Sequence, residues 1–416
     1  MRQRDVISIA TQQGLQGRVA EGAVSPAVIE RLIRQQLWQF GAQAMSVMLE
    51  AADAAVVAGR PVKDRRTRTV VTLFGPTDIT RSRCRDGTYP LDDALGLEGG
   101  HGWTPSVRES VSLVSCECGF ERTSEFLRRL LGLEIHPPSA QQVAQSAGER
   151  ASSLPTPAPP QTAAGQTLVV AVDGCQAPCR DGWREVKVAT TYTNESRCRP
   201  RTPDGRGRIL HKEYHATLEN AEGFGQQVRQ RAAAWEVDKA KRVVVMGDGA
   251  PWIWNLAAEH FPGAVEIVDF YHAAEHLWSV GEALFGDRSR SVATRGWVRH
   301  YLRRLRRGRC DLVLAALVRE QKRAGDSLSA DRADVVRRNV EYFRTNQLRM
   351  RYAQYRRWRL PIGTGAVEGS CRFVVQSRFK RPGARWSEPG LAHMLSLKLA
   401  HLNNRWDHLW PHLKAG

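Results

Sequence analysis

The sequence predicts an α/β protein: a C-terminal domain on a mixed five-stranded sheet with helices, preceded by a mainly helical region that carries one β-hairpin. Three observations lead there. The runs Thr167–Asp173 (TLVVAVD), Arg242–Asp248 (RVVVMGD) and Ala264–Asp269 (AVEIVD) are continuously apolar and end in an acid, the pattern of buried strands. Residues 25–57 and 106–150 show helical periodicity instead. Between the two regions, Ala151–Gln166 (ASSLPTPAPPQTAAGQ) is rich in Pro, Ala and Ser and poor in large apolar side chains, which marks a linker.

Taken in order, Ser25 and Pro26 open a long amphipathic helix, or a broken pair, with Ile29, Leu32, Ile33, Leu37, Phe40, Met45, Met48 and Leu49 at helical spacing. This first segment spans 1–62. The second, 63–150, starts with a hairpin from Thr67–Phe74 (TRTVVTLF) and Asp78–Arg85 across Gly75-Pro76. After an aperiodic stretch, 86–104, helices over Glu121–Leu131 and Ser139–Arg150 flank a turn containing Gly132, which fits a helix-turn-helix as well as a plain connector. The linker 151–166 leads into the domain 167–416. There, Glu185–Tyr192 and the stretch around Arg208–Tyr214 read as antiparallel strands, Asn220–Trp235 and Trp252–Glu259 as helices, and Leu391–Trp410 as a closing helix packed on the sheet.

The chain has 416 residues and a formal net charge of +18, with 52 Arg but only nine Lys. Between Glu282 and Arg385 there are 26 Lys+Arg against 9 Asp+Glu, so +17 of that charge lies in a quarter of the chain. Arginine enrichment from genome composition would be spread evenly; concentration in one segment points to a polyanionic partner. No apolar run approaches the ~18 residues needed to cross a bilayer. The N-terminus lacks the apolar core of an export signal, and eight scattered cysteines suit a reducing compartment better than a disulfide scaffold. Cys116-x-Cys118 and Cys175-x₃-Cys179 lack paired zinc-ligand spacing, and neither a phosphate-binding Walker motif nor a G-x-S-x-G elbow occurs.

Three acids stand out. Asp173 ends the first predicted strand of the domain, Asp248 the fourth, and Glu368 enters a helix in GTGAVEGS, with intervals of 75 and 120 residues. Rigidly held hard oxygen ligands of this kind suit two Mg²⁺ about 4 Å apart at a phosphodiester. The strings around them, VDG at Asp173, GDGAPWIWN at Asp248, DFYHAAEHLW at Asp269 and GTGAVEGSCRFVVQSRFKRPGARWS around Glu368, resemble bacterial insertion-sequence transposases of the DDE class, nearest the ISKra-type group and more distantly the Mutator-like enzymes. The resemblance runs from Thr167 to Trp410 and extends less clearly into the N-terminal part.

That resemblance implies an RNase H-like fold with Asp173, Asp248 and Glu368 as catalytic metal ligands for two Mg²⁺ or Mn²⁺ ions, and a helical insertion at about 282–349. Asp269-x-x-His272 matches the [C/D]-x-x-H signature of the wider family, as support beside the metals or as a helix start. The implied activity is cleavage at the terminal inverted repeats of an element and joining of the freed 3′-OH to target DNA. The partners are then double-stranded DNA and a homodimer or larger synaptic assembly, in a bacterial cytoplasm at the nucleoid. Arg299, Arg303, Arg306 and Arg307 form basic faces on the insertion, while Arg372, Arg378, Lys380 and Arg381 follow Glu368 toward phosphates. Trp386 is a candidate for stacking on an unpaired base or for the core; Trp252, Trp254 and His276 read as structural. Relatives often carry cysteine knuckles near the first hairpin, and this chain has only Cys84 there, so a zinc site is not expected. A nuclease or resolvase without strand transfer, and an inactive DNA-bound regulator, are the alternatives.

Overall fold

The computed structural model describes residues 25–97, 102–198, 208–324, 328–363 and 365–414, with the backbone alone at Ala324, Ala366, Val367, Glu368 and Lys414. The chain divides into two compact units, Met1–Leu154 with Arg405–Gly416, and Pro155–Asn404.

In the first unit, α1 (Pro26–Val56) is one uninterrupted helix, with Pro26 at its first turn. Strands β1 (Val62–Thr72) and β2 (Gly75–Cys84) form the hairpin. Buried Asp53 of α1 ties helix to hairpin by accepting hydrogen bonds from the Ser82 N–H at 3.0 Å and Oγ at 2.7 Å. Within the stretch that shows no period, a short helix α2 (Pro90–Ala94) presents Asp92 to Arg68 and Arg81. Helices α3 (Pro105–Glu117), α4 (Phe120–Leu131) and α5 (Pro137–Ser153) follow, and Gly132, at φ 67°, closes α4 in the left-handed conformation that glycine adopts without strain. Val107, Val111, Leu127, Leu133 and Ala140 make their common core.

The second unit holds the sheet. Strands β3 (Thr167–Cys179) and β4 (Gly182–Thr193) form a long antiparallel hairpin, six residues longer at the β3 end than the apolar run suggests. The expected third strand splits into a two-residue ribbon, β5 (Arg197–Cys198) with β6 (Arg208–Ile209), and β7 (Lys212–Thr217), which pairs with β4. Helix α6 (Ala221–Ala234) leads to β8 (Arg242–Gly247), α7 (Pro251–His260) and β9 (Val265–Val268). The sheet order is β7-β4-β3-β8-β9, antiparallel on the β7-β4-β3 side and parallel from β3 to β9. Leu168–Val172 and Val244–Met246 are fully buried in its middle.

Then come α8 (Phe270–Phe285), α9 (Val292–Arg306), α10 (Cys310–Ala324), α11 (Ala330–Asn346), and a short α12 (Tyr352–Arg357). Helix α13 (Gly365–Ser370) runs through a π-helical turn, Cys371–Gln376, into Ser377–Phe379. The stretch 151–166, where the two units meet in the chain, is anchored: α5 reaches Ser153, Ala163 is buried and donates to the Trp235 carbonyl at 2.7 Å, and Arg231 reaches the Pro157 carbonyl at 3.1 Å. One expectation needs correction. The closing helix is two helices, α14 (Glu388–Leu402) and α15 (Trp406–Lys414), parted where Asn403 bonds both backbone groups of Tyr214 and Asn404 turns left-handed. Helix α14 stays with the sheet; α15 belongs to the first unit, where the Trp406 indole donates to Glu109.

Candidate functional site

The sheet register aligns three aspartates. Parallel pairing of β3 with β8 runs to Ala171↔Met246, and that of β8 with β9 to Gly247↔Val268. Continued in step, Asp173, Asp248 and Asp269 fall level across three neighbouring strands.

Asp173 is half-buried, one carboxylate oxygen accepting the Gly174 N–H at 2.7 Å and the other the Cys371 thiol at 3.3 Å. Burial pushes its carboxyl above the ordinary range, and the negative charge of Asp248 adds to that, against the two hydrogen bonds. Asp248 sits on a turn fixed from outside the sheet. Its carboxylate accepts the Ala250 N–H, and its carbonyl accepts the Tyr342 hydroxyl of α11 at 2.6 Å. Gly249 has φ 111°, and a Cβ there would lie 2.6 Å from the Tyr342 ring. Asn346, one helical turn on from Tyr342, accepts the Trp254 indole N–H at 3.0 Å. The string GDGAPWIWN is thus a turn, a proline helix start and a buried indole anchor; Trp254 is core, as expected.

Asp269 is fully buried and caps α8, accepting the N–H groups of Tyr271 and His272, while its own N–H donates to the Gly247 carbonyl at 2.8 Å. It therefore braces the residue before Asp248. His272 faces the same region: its buried Nδ1, 4.0 Å from the Asp269 carboxylate, finds no hydrogen-bond partner among the described residues. His276 stacks on Tyr342 at 3.5 Å between ring centroids and bonds Asn339.

Helix α13 is held from both ends. Before it, the Ile362 carbonyl accepts the Phe270 N–H at 2.8 Å, and Gly363 lies so close to Tyr271 that a Cβ would meet the ring at 2.6 Å. After it, Ser370 and Thr190 of β4 share a buried hydroxyl bond, and Cys371 reaches Asp173. The Glu368 backbone lies between these anchors; its side chain is outside the described residues. Cys371 also bonds Cys175, which, with burial and the Asp173 charge, raises its thiol far above the ordinary value, so it stays protonated and donates.

Arg299, Arg303, Arg306 and Arg307 of α9 and its end are exposed, and none forms an ion pair among the described residues. Arg306 lies over Phe270, 5.2 Å from its centroid, next to the Asp269 cap. Arg372 and Lys380 are exposed and Arg381 is half-buried. Arg378 and Trp386, expected at a nucleic-acid surface, are instead both buried, the guanidinium lying 4.9 Å over the indole, whose N–H donates to the Phe379 carbonyl. For Arg378 the π-helical turn just before it shifts which positions face inward. Sequence reasoning missed Tyr342, Asn346, Cys371 and the Thr190–Ser370 pair. Only Cys371 carried a signal, standing three residues after Glu368.

Among the described residues no three His, Cys, Asp or Glu side chains converge into a metal-holding group. Asp173 and Asp248 nonetheless fit a hard cation: they are two oxygen donors close enough to act on one another, and burial raises the Asp173 carboxyl first, with the Asp248 charge adding to it.

Among the described residues, no helix is long and apolar enough to cross a membrane. A protein of Streptococcus gallolyticus described as "UPF0236 protein in vanSb 3'region" is 22% identical over 362 residues, 85% of this chain and 76% of that one. Residues 21–407 match the family described as "Uncharacterised protein family (UPF0236)", and the chain belongs to that family.

Proposed function

We propose that the protein is a DDE-class DNA transposase whose second unit is an RNase H-like catalytic domain. One observation carries the reading: Asp173 and Asp248 each stand two residues beyond the last paired positions of adjoining parallel strands, with the helix of Glu368 tied to Asp173 and to β4. The mixed five-stranded sheet and the long helical stretch between Asp248 and Glu368 support it. The exposed arginines of α9 supply the means to hold phosphates.

Asp173, Asp248 and Glu368 would hold two Mg²⁺ or Mn²⁺ ions. Such ions, when bound, activate an attacking oxygen and stabilise a leaving one. The protein's own part is positional. Tyr342 and Asn346 keep the Asp248 turn in place, Asp269 braces the strand end beneath it, and Cys371 orients the Asp173 carboxylate. His272 is placed to donate to a phosphate oxygen. Water and then a 3′-OH can use one site in turn, so no covalent protein intermediate is needed.

The test offers purified protein a pre-nicked element end, taken from repeats flanking the gene, and a supercoiled plasmid in Mg²⁺ or Mn²⁺. Joined product is expected. Cleavage without joining would favour a nuclease, and cleavage undiminished in Asp173→Asn would overturn the metal assignment.

A further inference from the structure

The geometry points to a second nucleic-acid site, which we propose takes an unpaired nucleotide of single-stranded DNA: the cleft between the tip of the β3–β4 hairpin and residues 380–385, with Trp183 as its stacking platform. The inference rests on the DNA-processing reading and deepens it. The cleft, about 560 Å³, is lined by Arg180, Trp183, Lys380, Arg381 and Arg385 among neutral residues, with no acid in its wall. The nearest acids, Asp181 and Glu388, are both engaged by Arg184. Arg180, Lys380 and Arg385 form no ion pair among the described residues, so three cations face the cleft uncompensated.

Trp183 is 57% exposed, with the Lys380 ammonium 5.5 Å from its ring centroid. An indole left in water beside cations forgoes the burial that Trp386, six residues past Lys380, obtains. The walls are rigid: the Arg180 N–H donates to the Trp386 carbonyl at 2.9 Å, and the Trp386 N–H to the Pro178 carbonyl at 3.1 Å. An aromatic face ringed by cations binds a base and its phosphates, and only an unstacked base offers a free face, which selects single strand over duplex. From Asp173 to Cys179 the strand covers six residues, roughly 20 Å at ~3.3 Å each. At ~3.4 Å per stacked nucleotide that places the unpaired base within about six nucleotides of the scissile bond.

Fluorescence anisotropy with the full chain tests this, using a labelled 12-mer of dT, the same strand with abasic central positions, and a blunt duplex of equal length. Trp183→Ala should weaken dT binding about tenfold, leave the abasic strand and the duplex within twofold, and leave the thermal midpoint unchanged; Trp183→Phe should restore most of the loss. Arg180→Ala with Lys380→Ala should weaken both single strands alike and flatten their salt dependence. Equal loss on duplex and dT, or no loss on dT, overturns the site. If the unaltered protein cleaves DNA in an Asp173-dependent way while Trp183→Ala binds dT normally, the site fails and the transposase reading stands; if the unaltered protein binds no DNA, both fall.

Discussion

At the residue scale, the candidate site is two carboxylates braced by Cys371, Tyr342 and Asp269. Replacing Asp173 by Asn removes one charge while keeping its shape, so metal-dependent cleavage should fall below detection while duplex binding persists; gel assays of nicking and of binding on the same preparation check it. A second prediction concerns His276. Burial holds its imidazole below the ordinary value of 6.5, so the unfolded chain takes up the proton more readily than the folded one. Its contribution to stability is therefore complete above pH ~6.5 and is lost as the pH falls through the folded-state value. The thermal midpoint of His276→Gln should decline less steeply between pH 7 and pH 5 than that of the unaltered protein. The carboxylates were visible in the sequence because each ends an apolar run or sits in a distinctive string. Tyr342 and Asn346 were not, because each acts on Gly249 or Asp248 from nearly a hundred residues away and only packing brings them there.

At the element scale, buried strands were easy to read and their ends were not. TLVVAVD marks the start of β3, yet the strand continues through Gly174–Cys179, whose composition suggests a loop; pairing with β4 overrides that local preference. Helix boundaries failed where side chains intervene, as at Asn403. The turn after β8 shows how tightly elements are fitted. With φ 111° and the Tyr342 ring in the space a Cβ would take, Gly249→Ala should destabilise the protein by ~1–3 kcal/mol. Tyr342→Phe, which loses one hydrogen bond to a carbonyl, should cost only ~0.5–1.5 kcal/mol. Chemical denaturation measures both, and a smaller loss for the glycine variant would contradict the packing argument.

At the scale of the whole molecule, the segment 282–385 that carries +17 exposes Arg299, Arg303 and Arg306, which form no ion pair among the described residues, while Asp334 holds both Arg337 and Arg338 of α11. Duplex affinity should fall roughly 10³–10⁵-fold between 50 and 200 mM salt if six to ten phosphates are contacted. Replacing Arg299, Arg303 and Arg306 together by Ala should reduce the log–log slope by about 2.7, at ~0.9 per contact. An unchanged slope would put the DNA elsewhere. The order of the chain adds something of another kind. Trp406, Leu409, Trp410 and Leu413 are buried in the unit that begins with α1, but the 250 residues of Pro155–Asn404 are synthesised before them. At about 5–20 residues per second, roughly 12 to 50 s of synthesis separate α5 from α15, which joins the same unit. The first unit therefore buries Trp406 and its neighbours only after the whole of the second has been made.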